Sequence, residues 1–379
     1  MAPLAGVKVV ELARVLAGPW AGQTLADLGA EVVKIESPEG DDARAWGPPF
    51  VVTDAGQTSA YFHACNRGKR SISLDFRKQT DLDTTRALVR DADVLVENFK
   101  VGGLEKYGLD YASVSAINPR VVYCSITGFG QTGPYASRAG YDFVVQGMSG
   151  IMDLTGDPEG EPQKMGVAFA DIFAGLYSVI GIQAALAMRA RTGRGQHIDV
   201  ALFDCMTGVL ANQAMNFLLS GTSPRRLGNV HPNIAPYQTF PVSDGDITIA
   251  CGNDTQFRRL CAVLQVPELS GDERFVSNTA RVRHREELSA MLSRKTAPLA
   301  RAELLGALEA AGVPAGPINT VADVFADPQF IARHMRVEAD HVPGLRTPLT
   351  FSDADLLLDR RAPELGEHTG EILAQLRRR

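Results

Sequence analysis

The segment from Gly166 to Leu186 constrains the fold more than any other part of this 379-residue chain. It reads GVAFADIFAGLYSVIGIQAAL, and Asp171 is its only charged residue. The residues after Asp171 are apolar or small, which predicts a long helix that can be buried on nearly all sides. A carboxylate in such surroundings loses water, so either the fold stabilises it or a reaction uses it.

Two interpretations of Asp171 follow from the residues around it. An aspartate just before an apolar helical run is typical of an N-cap, where the carboxylate accepts backbone N–H groups and meets the positive end of the helix dipole. The other interpretation is a nucleophile, because an ionised carboxylate can attack an acyl group. The two are compatible, since capping keeps a carboxylate ionised.

The N-terminal part of the chain alternates strands with helices. Short β-rich runs are expected at 7–12, 31–36, 69–75, 93–98 and 120–128. Helices over 21–28 and 82–90 separate some of them, which predicts βαβ units and a parallel sheet. The first turn contains Gly18-Pro19 rather than GxGxxG, and this argues against a dinucleotide site.

Two loops carry candidate binding groups. The irregular stretch Asp41–Phe50 contains Trp46 beside two prolines, and this tryptophan either contacts a ligand or packs on the surface. The loop after the fourth strand carries Lys100 and Lys106. These lysines either meet phosphates at the carboxyl end of the sheet or are ordinary surface lysines.

Composition excludes several classes of function. A net charge of -6 argues against a nucleic-acid partner. The N-terminus does not resemble a secretory leader, and no run of membrane-spanning length is free of charge or glycine, so we expect a cytoplasmic protein with no membrane partner. The five cysteines form no CxxC and the seven histidines no HxxxH or HExxH, so we expect neither a disulfide framework nor a metal site.

The second half of the chain changes character. A basic turn and a short strand over 191–200 follow the long helix, and a second apolar helix is expected over 201–219. A hairpin signal around Ser243-Asp-Gly245 and three helical stretches then predict a smaller α+β domain. We therefore expect a large domain over 1–225, a small domain over 226–321 and a C-terminal segment over 322–379.

The sequence resembles the class III CoA-transferases (the CaiB/BaiF type), the family of formyl-CoA transferase and carnitine CoA-transferase. The resemblance covers essentially the whole chain and rests on motifs in a specific order and spacing. They are GVKVVEL (6–12), RVLAGP (14–19), LGAEVVKIE (28–36), NRGKRS (66–71), DVLVENF (93–99), TGFGQTGP (127–134), TGRGQ (192–196) and LGEHT (365–369).

The resemblance implies a fold and a reaction. The fold is an α/β Rossmann-like large domain with a parallel sheet, a smaller α+β domain, and a C-terminal segment that returns to the large domain of an interlocked-ring homodimer. The nucleophile is the aspartate at the head of a long apolar helix, which is Asp171 in this chain. It takes CoA from a donor acyl-CoA to a free carboxylic acid through aspartyl anhydrides and an aspartyl–CoA thioester. CoA thioesters are substrates, and no tightly bound cofactor is expected.

The resemblance also implies which residues contact CoA. The matching positions are Leu16, Ala17, Leu74, Asp75, Phe76, Arg77, Asn98, Phe99, Lys100, Lys106, Arg138, Ala139, Gly140 and Tyr141. Among them Lys100, Lys106 and Arg138 are the chemically suitable partners for phosphate groups.

The acyl group is less well defined. Formyl-CoA transferase carries glutamine where this chain has Leu16 and arginine where it has Ser37, and this chain lacks its oligoglycine loop. The chain looks most similar to the succinyl-CoA:dicarboxylate branch. A dicarboxylic acyl group needs a donor for its second carboxylate, and Arg44, Arg225 and His231 are the candidates.

Two alternatives remain beside the transferase. The α-methylacyl-CoA racemase branch shares the aspartate but pairs it with a histidine, whose position Tyr141 takes in this chain; a phenol is a poor base near neutral pH. Asp254 matches a further acidic position of the racemases, or else caps a helix. The other alternative is a CoA-binding scaffold without turnover. The missing base favours the transferase.

Overall fold

The computed structural model describes residues 1–53 and 56–378, which form two compact units. The first unit contains Met1–Met152, Lys164–Ser223 and the residues from Pro328 to the C-terminal end. The second unit contains Asp153–Gln163 and Pro224–Asp327. The domain boundaries expected after residues 225 and 321 stay predictions.

Short strands and helices follow one another along the described residues. The strands are β1 (Lys8–Glu11), β2 (Glu31–Glu36), β3 (Phe50–Thr53), β4 (Gly56–Ser59), β5 (Arg70–Ser73), β6 (Val94–Glu97), β7 (Val122–Thr127), β8 (His197–Ala201), β9 (Tyr237–Val242), β10 (Gly245–Ala250), β11 (Ala315–Pro317), β12 (Arg336–Ala339) and β13 (Val342–Leu345). The helices are α1 (Ala17–Asp27), α2 (Ala60–Asn66), α3 (Gln79–Arg90), α4 (Tyr111–Ile117), α5 (Asp142–Met148), α6 (Ile151–Leu154), α7 (Phe169–Thr192), α8 (Leu202–Gly208), α9 (Ala211–Ser220), α10 (Asp254–Val263), α11 (Asn278–Arg283), α12 (Arg285–Thr296), α13 (Arg301–Ala310), α14 (Val321–Ala326), α15 (Pro328–Ala332) and α16 (Thr369–Arg377).

The first unit is built on a six-stranded parallel sheet in the order β5-β2-β1-β6-β7-β8. Val9 pairs with Val32 on one side and Val94 on the other, and these side chains belong to the core that includes α1 and α7. The opposite face contributes Leu95 and Tyr123 to a second core. Helices cover both faces, as a parallel sheet requires, so the predicted parallel α/β sheet is confirmed.

Helices α1 and α7 pack closely because small residues line their contact. A Cβ atom placed on Gly175 would lie 2.8 Å from the Ala17 carbonyl oxygen and 3.1 Å from the Trp20 ring. Helix α1 follows β1, and α7 leads into β8. Since both strands are parallel, both helices begin at the carboxyl edge of the sheet.

Helix α7 is the one described helix whose length and composition would let it cross a membrane, with a mean hydropathy of 1.6 in its most apolar window. Only 33% of that window is buried in the single chain. The helix also carries Asp171, Gly175 and Gly181. A single such helix is weak support for a membrane span, because core helices of globular proteins have the same composition.

The second unit has its own core. Strands β11, β10 and β9 form an antiparallel sheet, and the β9–β10 pairing confirms the predicted hairpin. Phe240 and Ile247 from the sheet pack with Phe257, Leu260 and Leu304 from the helices.

Local differences from the sequence expectations have physical causes. Helix α1 begins at Ala17 instead of residue 21, because Pro19 fits the first turn, where its missing N–H is not needed. The expected helix over 201–219 is two helices, α8 and α9, separated near Ala211, whose φ is 45°. The β3–β4 hairpin and α2 were not predicted, because no long apolar period marks them.

Within the first unit, the chain around β13 packs against a buried ion pair between α1 and the end of α2. The Arg67 guanidinium contacts the Asp27 carboxylate at 2.5 Å and donates to the Leu345 carbonyl at 2.8 Å. The Thr347 hydroxyl donates to the same carboxylate at 2.8 Å. This contact ties the chain after β13 to α1 and α2.

We expect Gly175→Ala to destabilise the protein, although alanine is the better helix former. The added methyl group would push α7 away from the α1 backbone, at a cost of about 1–3 kcal/mol in unfolding free energy. The matched control is Gly306→Ala in α13, where nothing lies within 4 Å and a gain of up to about 1 kcal/mol is expected. Equal gains in denaturant unfolding for both variants would refute the close contact.

Candidate active site

Asp171 is the third residue of α7, at the carboxyl edge of the sheet. The N-cap position belongs to Ala168, and no side-chain hydrogen bond caps this end of the helix from that residue. Instead, the Asp142 Oδ1 atom accepts the backbone N–H of Ala170 at 2.9 Å. The expectation that Asp171 is the N-cap is therefore wrong, because a carboxylate from α5 takes that role.

The Asp171 side chain is half-buried and has no hydrogen bond or ion pair with any side chain in residues 1–53 and 56–378. Burial raises the pKa of Asp171 to about 7, and the negative charge of Asp142 adds to this shift. The sequence suggested that a cap keeps this carboxylate ionised, and the raised pKa shows the opposite. It titrates near neutrality, which is a frequent property of functional carboxyl groups.

Tyr61, from α2, lies near enough to Asp171 for the two groups to interact electrostatically. Burial raises the pKa of the Tyr61 phenol, and the charge of Asp171 is the next cause. The ring packs edge-on against Trp46, with 5.3 Å between centroids, and Trp46 remains 45% exposed. Sequence reasoning missed Tyr61 because α2 itself was not predicted; the only signal was an aromatic residue in the polar stretch after the Trp46 loop.

The loops after β7 approach each other at two glycines. A Cβ on Gly128 would lie 2.5 Å from the Gly140 Cα atom, so the two backbones touch and neither position has room for a side chain. This crossing leads directly into Tyr141, the N-cap of α5, and Asp142. Tyr141 is 66% exposed.

A cleft of about 460 Å³ opens at the carboxyl ends of β1, β2, β5 and β6. Five residues predicted to contact CoA line it, namely Leu74, Asp75, Phe76, Arg77 and Phe99. Arg14 and the stretch from Glu36 to Asp41 line it as well, although they were not among the predicted CoA contacts. Their position in the sequence could have indicated them, because they directly follow strands β1 and β2 and ligands bind at the carboxyl ends of such strands.

The other residues predicted to contact CoA lie in several places around this edge. Leu16 and Ala17 are buried at the start of α1. The exposed Lys100 lines a neighbouring cavity of about 190 Å³, and the exposed Lys106 lies 4.8 Å from the Tyr107 ring centroid. The Asn98 amide is occupied, because it donates to the Arg14 carbonyl at 2.7 Å and accepts its N–H at 2.9 Å.

The loop that precedes α5 carries the remaining predicted contacts. Arg138 and Ala139 are exposed, and Gly140 is half-buried against Gly128. The Arg138 guanidinium stacks on the Tyr135 ring at 3.9 Å from its centroid, which leaves its edge available for a phosphate.

Comparisons with known proteins decide the family. The sequence profile of CoA-transferase family III matches residues 4–369. This chain belongs to CoA-transferase family III. A succinate–glutarate CoA-transferase from Agrobacterium fabrum is 56% identical over 99% of this chain and 96% of its own length. The succinyl-CoA:glutarate CoA-transferase of Mus musculus is 41% identical over 100% of this chain and 87% of its own. The crystal structure of a CaiB/BaiF family protein from Brucella suis matches with a TM-score of 0.90 and 67% identity over 99% of both chains.

In this family III CoA-transferase, Arg44 makes several contacts within the first unit. The Arg44 guanidinium pairs with Glu36 at 2.7 Å, donates to the Pro363 carbonyl at 3.1 Å and lies over the Phe62 ring. These contacts engage the Arg44 guanidinium within the first unit, and its expected role toward an acyl group stays a prediction. Arg225 and His231 belong to the second unit, where Arg225 is exposed, and their role stays a prediction.

Asp254 is neither a helix N-cap nor a free acid in this CoA-transferase. Asn253 caps α10, and its side chain accepts the Gln256 N–H at 2.9 Å. Asp254 instead pairs with the buried guanidinium of Arg281 at 2.7 Å. The racemase-like interpretation loses this acidic residue to a structural ion pair.

Within the part of the chain that the structure describes, no group of three or more His, Cys, Asp or Glu side chains is placed to hold a metal ion. The groups that interact electrostatically with the Asp171 carboxyl are the Tyr61 phenol and the Asp142 carboxylate, both from the first unit.

We expect Asp171→Asn to stabilise the folded protein above neutral pH. The folded-state pKa of Asp171 is raised to about 7 from 3.8. Wild type therefore loses stability as the pH rises from about 4 to about 7, while the amide does not. At about pH 8 the variant should gain about 1–2 kcal/mol in unfolding free energy, and little near pH 4. Asp246→Asn, at an exposed site in β10, is the control. A variant less stable than wild type at both pH values would contradict the raised pKa.

Proposed function

We propose that this enzyme transfers CoA from succinyl-CoA to a short dicarboxylate, with glutarate as the first acceptor to test, and that Asp171 is the nucleophile. The observation that carries the proposal is the state of the Asp171 carboxylate. It does not cap α7, it is half-buried, and it interacts electrostatically with Tyr61 and Asp142. The names of the relatives from Agrobacterium fabrum and Mus musculus support the substrates.

The proposed reaction has four steps. An Asp171 oxygen attacks the thioester carbonyl of succinyl-CoA, which breaks the C–S bond and gives an aspartyl–succinyl anhydride and CoA thiolate. The thiolate attacks the aspartyl carbonyl, releasing succinate and forming an aspartyl–CoA thioester. The acceptor carboxylate attacks this thioester and gives a second anhydride and the thiolate. The thiolate then attacks the acceptor's carbonyl, which yields the new acyl-CoA and the free Asp171 carboxylate.

The surroundings of Asp171 suit this sequence. One thioester replaces another, so no external energy source is needed. Burial removes water from the carboxylate, which makes the anion a better nucleophile and protects the anhydrides from hydrolysis. With a pKa of about 7, about half of the Asp171 carboxyl groups are ionised at neutral pH.

The proposed mechanism predicts that Asp171 becomes covalently modified. When the enzyme is incubated with succinyl-CoA and no acceptor, hydroxylamine should convert the activated Asp171 carboxyl to a hydroxamate that peptide mass detects. Glutarate added before the hydroxylamine should react with the intermediate and prevent this adduct. Asp171→Ala should lose the adduct and at least about a thousandfold of the CoA exchange rate, because no other group supplies the nucleophile.

Asp246→Asn is the control for that experiment and should behave like wild type, since Asp246 is exposed in the second unit. An active wild-type enzyme with an unmodified Asp171 would refute the proposed nucleophile. A modified Asp171 that no dicarboxylate discharges would instead refute the proposed acceptor class.

The active form is proposed to be a homodimer. In the single chain, α7 exposes Leu176, Tyr177 and Ile180, while α9 exposes Leu218 and Leu219. Ile180 is 61% exposed and Leu219 is 82% exposed, an unusual state for large apolar side chains on long helices. A second copy of the chain would cover these faces, as the interlocked rings of the family imply.

Light scattering tests the dimer. Wild type should have about twice the chain mass of 40.7 kDa. Ile180→Glu should reduce the dimer fraction or aggregate, because it would bury a charge in the interface. Val276→Glu, at an exposed apolar residue of the second unit, should leave the mass unchanged. A monomeric wild type with full activity would rule out the dimer as the active form.

A further inference from the structure

Helices α14 and α7 both carry an aspartate as their third residue, in opposite environments. In α14, the Asp323 carboxylate accepts the backbone N–H of the N-cap residue Thr320 at 2.9 Å and completes a capping box. Hydrogen bonds from Thr320 lower the pKa of Asp323. In α7, Asp171 has the same position, but the N-cap Ala168 has no side chain that could take part. The capping of α7 must come from elsewhere.

Asp142 and Gln146 supply that capping. One oxygen of Asp142 accepts the Ala170 N–H at 2.9 Å, and the other accepts the Gln146 amide at 2.8 Å. The Gln146 side chain is fully buried, and its own oxygen accepts the Met165 N–H at 2.9 Å. The amide therefore joins α5 to the segment that leads into α7, and both oxygens of Asp142 have a donor.

This arrangement matters for a carboxylate that must react. In the proposed reaction Asp171 becomes an anhydride and then a thioester, and both forms lose the negative charge that makes a carboxylate a strong acceptor at a helix start. A cap made by Asp171 would weaken in every cycle. A cap made by Asp142 persists through the cycle and leaves the start of α7 in place.

We propose that Gln146 is a positioning residue of the transfer reaction, whose amide holds the Asp142 carboxylate on the first turn of α7 so that Asp171 is free to attack the thioester. The proposal rests on the proposed function. Gln146 acts through Asp142 and does not contact the substrate.

Gln146→Met tests the proposal because methionine fills a similar volume without either hydrogen bond. The titratable groups that face Asp171 are Asp142 from α5 and Tyr61 from α2, while α1 carries none before Asp27. Without the Gln146 donor, the Asp142 carboxylate is no longer held on the first turn of α7, so its charge acts less on Asp171. We expect the ascending limb of kcat/KM against pH to move to lower pH. We also expect kcat to fall about tenfold to hundredfold at nearly unchanged KM for succinyl-CoA.

Two comparisons show whether the effect passes through Asp142. Gln183→Met is the matched control, because the buried amide nitrogen of Gln183 has no hydrogen-bond partner among the described residues, and its pH limb should not move. In an Asp142→Asn background, Gln146→Met should no longer shift the limb, since the charge that it controls is already gone.

A readout without turnover separates this proposal from the proposed function. Labelling of Asp171 by a water-soluble carbodiimide and an amine, followed across pH by peptide mass, should shift in Gln146→Met as the kinetic limb does. If wild type transfers CoA but neither limb nor labelling shifts, Gln146 is only structural and the proposal is overturned. If the labelling shifts while wild type transfers no CoA, the hold on Asp171 is supported and the proposed function is overturned.

Discussion

The contact between α1 and α7 is the constraint on which the site depends. Because Gly175 has no side chain, α7 packs directly against the backbone of the first turn of α1. Ala170 and Ala174 are buried in the same core. Because both helices begin at the carboxyl edge of the sheet, this contact sets Asp171 beside the turn that follows β1. A larger side chain in the contact would move Asp171, the proposed nucleophile, and displacements of about 1 Å are costly for reactions between positioned groups.

The turn after β1 is itself held by buried charges. Val15 has a φ of 72°, a left-handed conformation that a β-branched residue rarely adopts. The Asp41 carboxylate accepts the Val15 N–H at 3.1 Å, and Lys34 pairs with Asp41 at 3.0 Å. Burial opposes the charge of Lys34, yet the carboxylates of Glu11 and Asp41 hold the pKa of the ammonium above its usual range.

These buried ions therefore stabilise a strained turn more than they stabilise the fold as a whole. Paired charges in a core gain little over apolar residues of the same size, so their use in this turn is geometric. Asp41 also begins the short helix Asp42–Ala45 that carries the chain to Trp46. One carboxylate thus connects the start of α1 with the aromatic wall formed by Trp46 and Tyr61.

The sequence predicted the parallel sheet and singled out Asp171 as a candidate nucleophile, but it did not show the protonation state of that carboxyl. The parallel strands followed from apolar runs with turn residues between them, because both patterns are local. The environment of Asp171 depends on Asp142 and Tyr61, which lie 29 and 110 positions earlier in the chain. No local pattern shows such contacts, and for the same reason the pairing of Arg44 with Glu36 was not foreseen.

A nucleophile with a pKa near neutrality suits a reaction that must run in both directions. In the proposed mechanism Asp171 is in turn the attacking group and the leaving group, and each anhydride contains an aspartyl half and a substrate acyl half. If Asp171 were as acidic as in water, it would be the better leaving group of the first anhydride. The CoA thiolate would then displace Asp171 and regenerate the donor acyl-CoA. A substrate carboxylate bound in the same desolvated place would also be a weaker acid, which would bring the two halves of the anhydride closer in leaving-group ability. In the proposed mechanism, burial of Asp171 thereby favours an even partition of the anhydride between donor and acceptor, so that their concentrations set the direction of transfer.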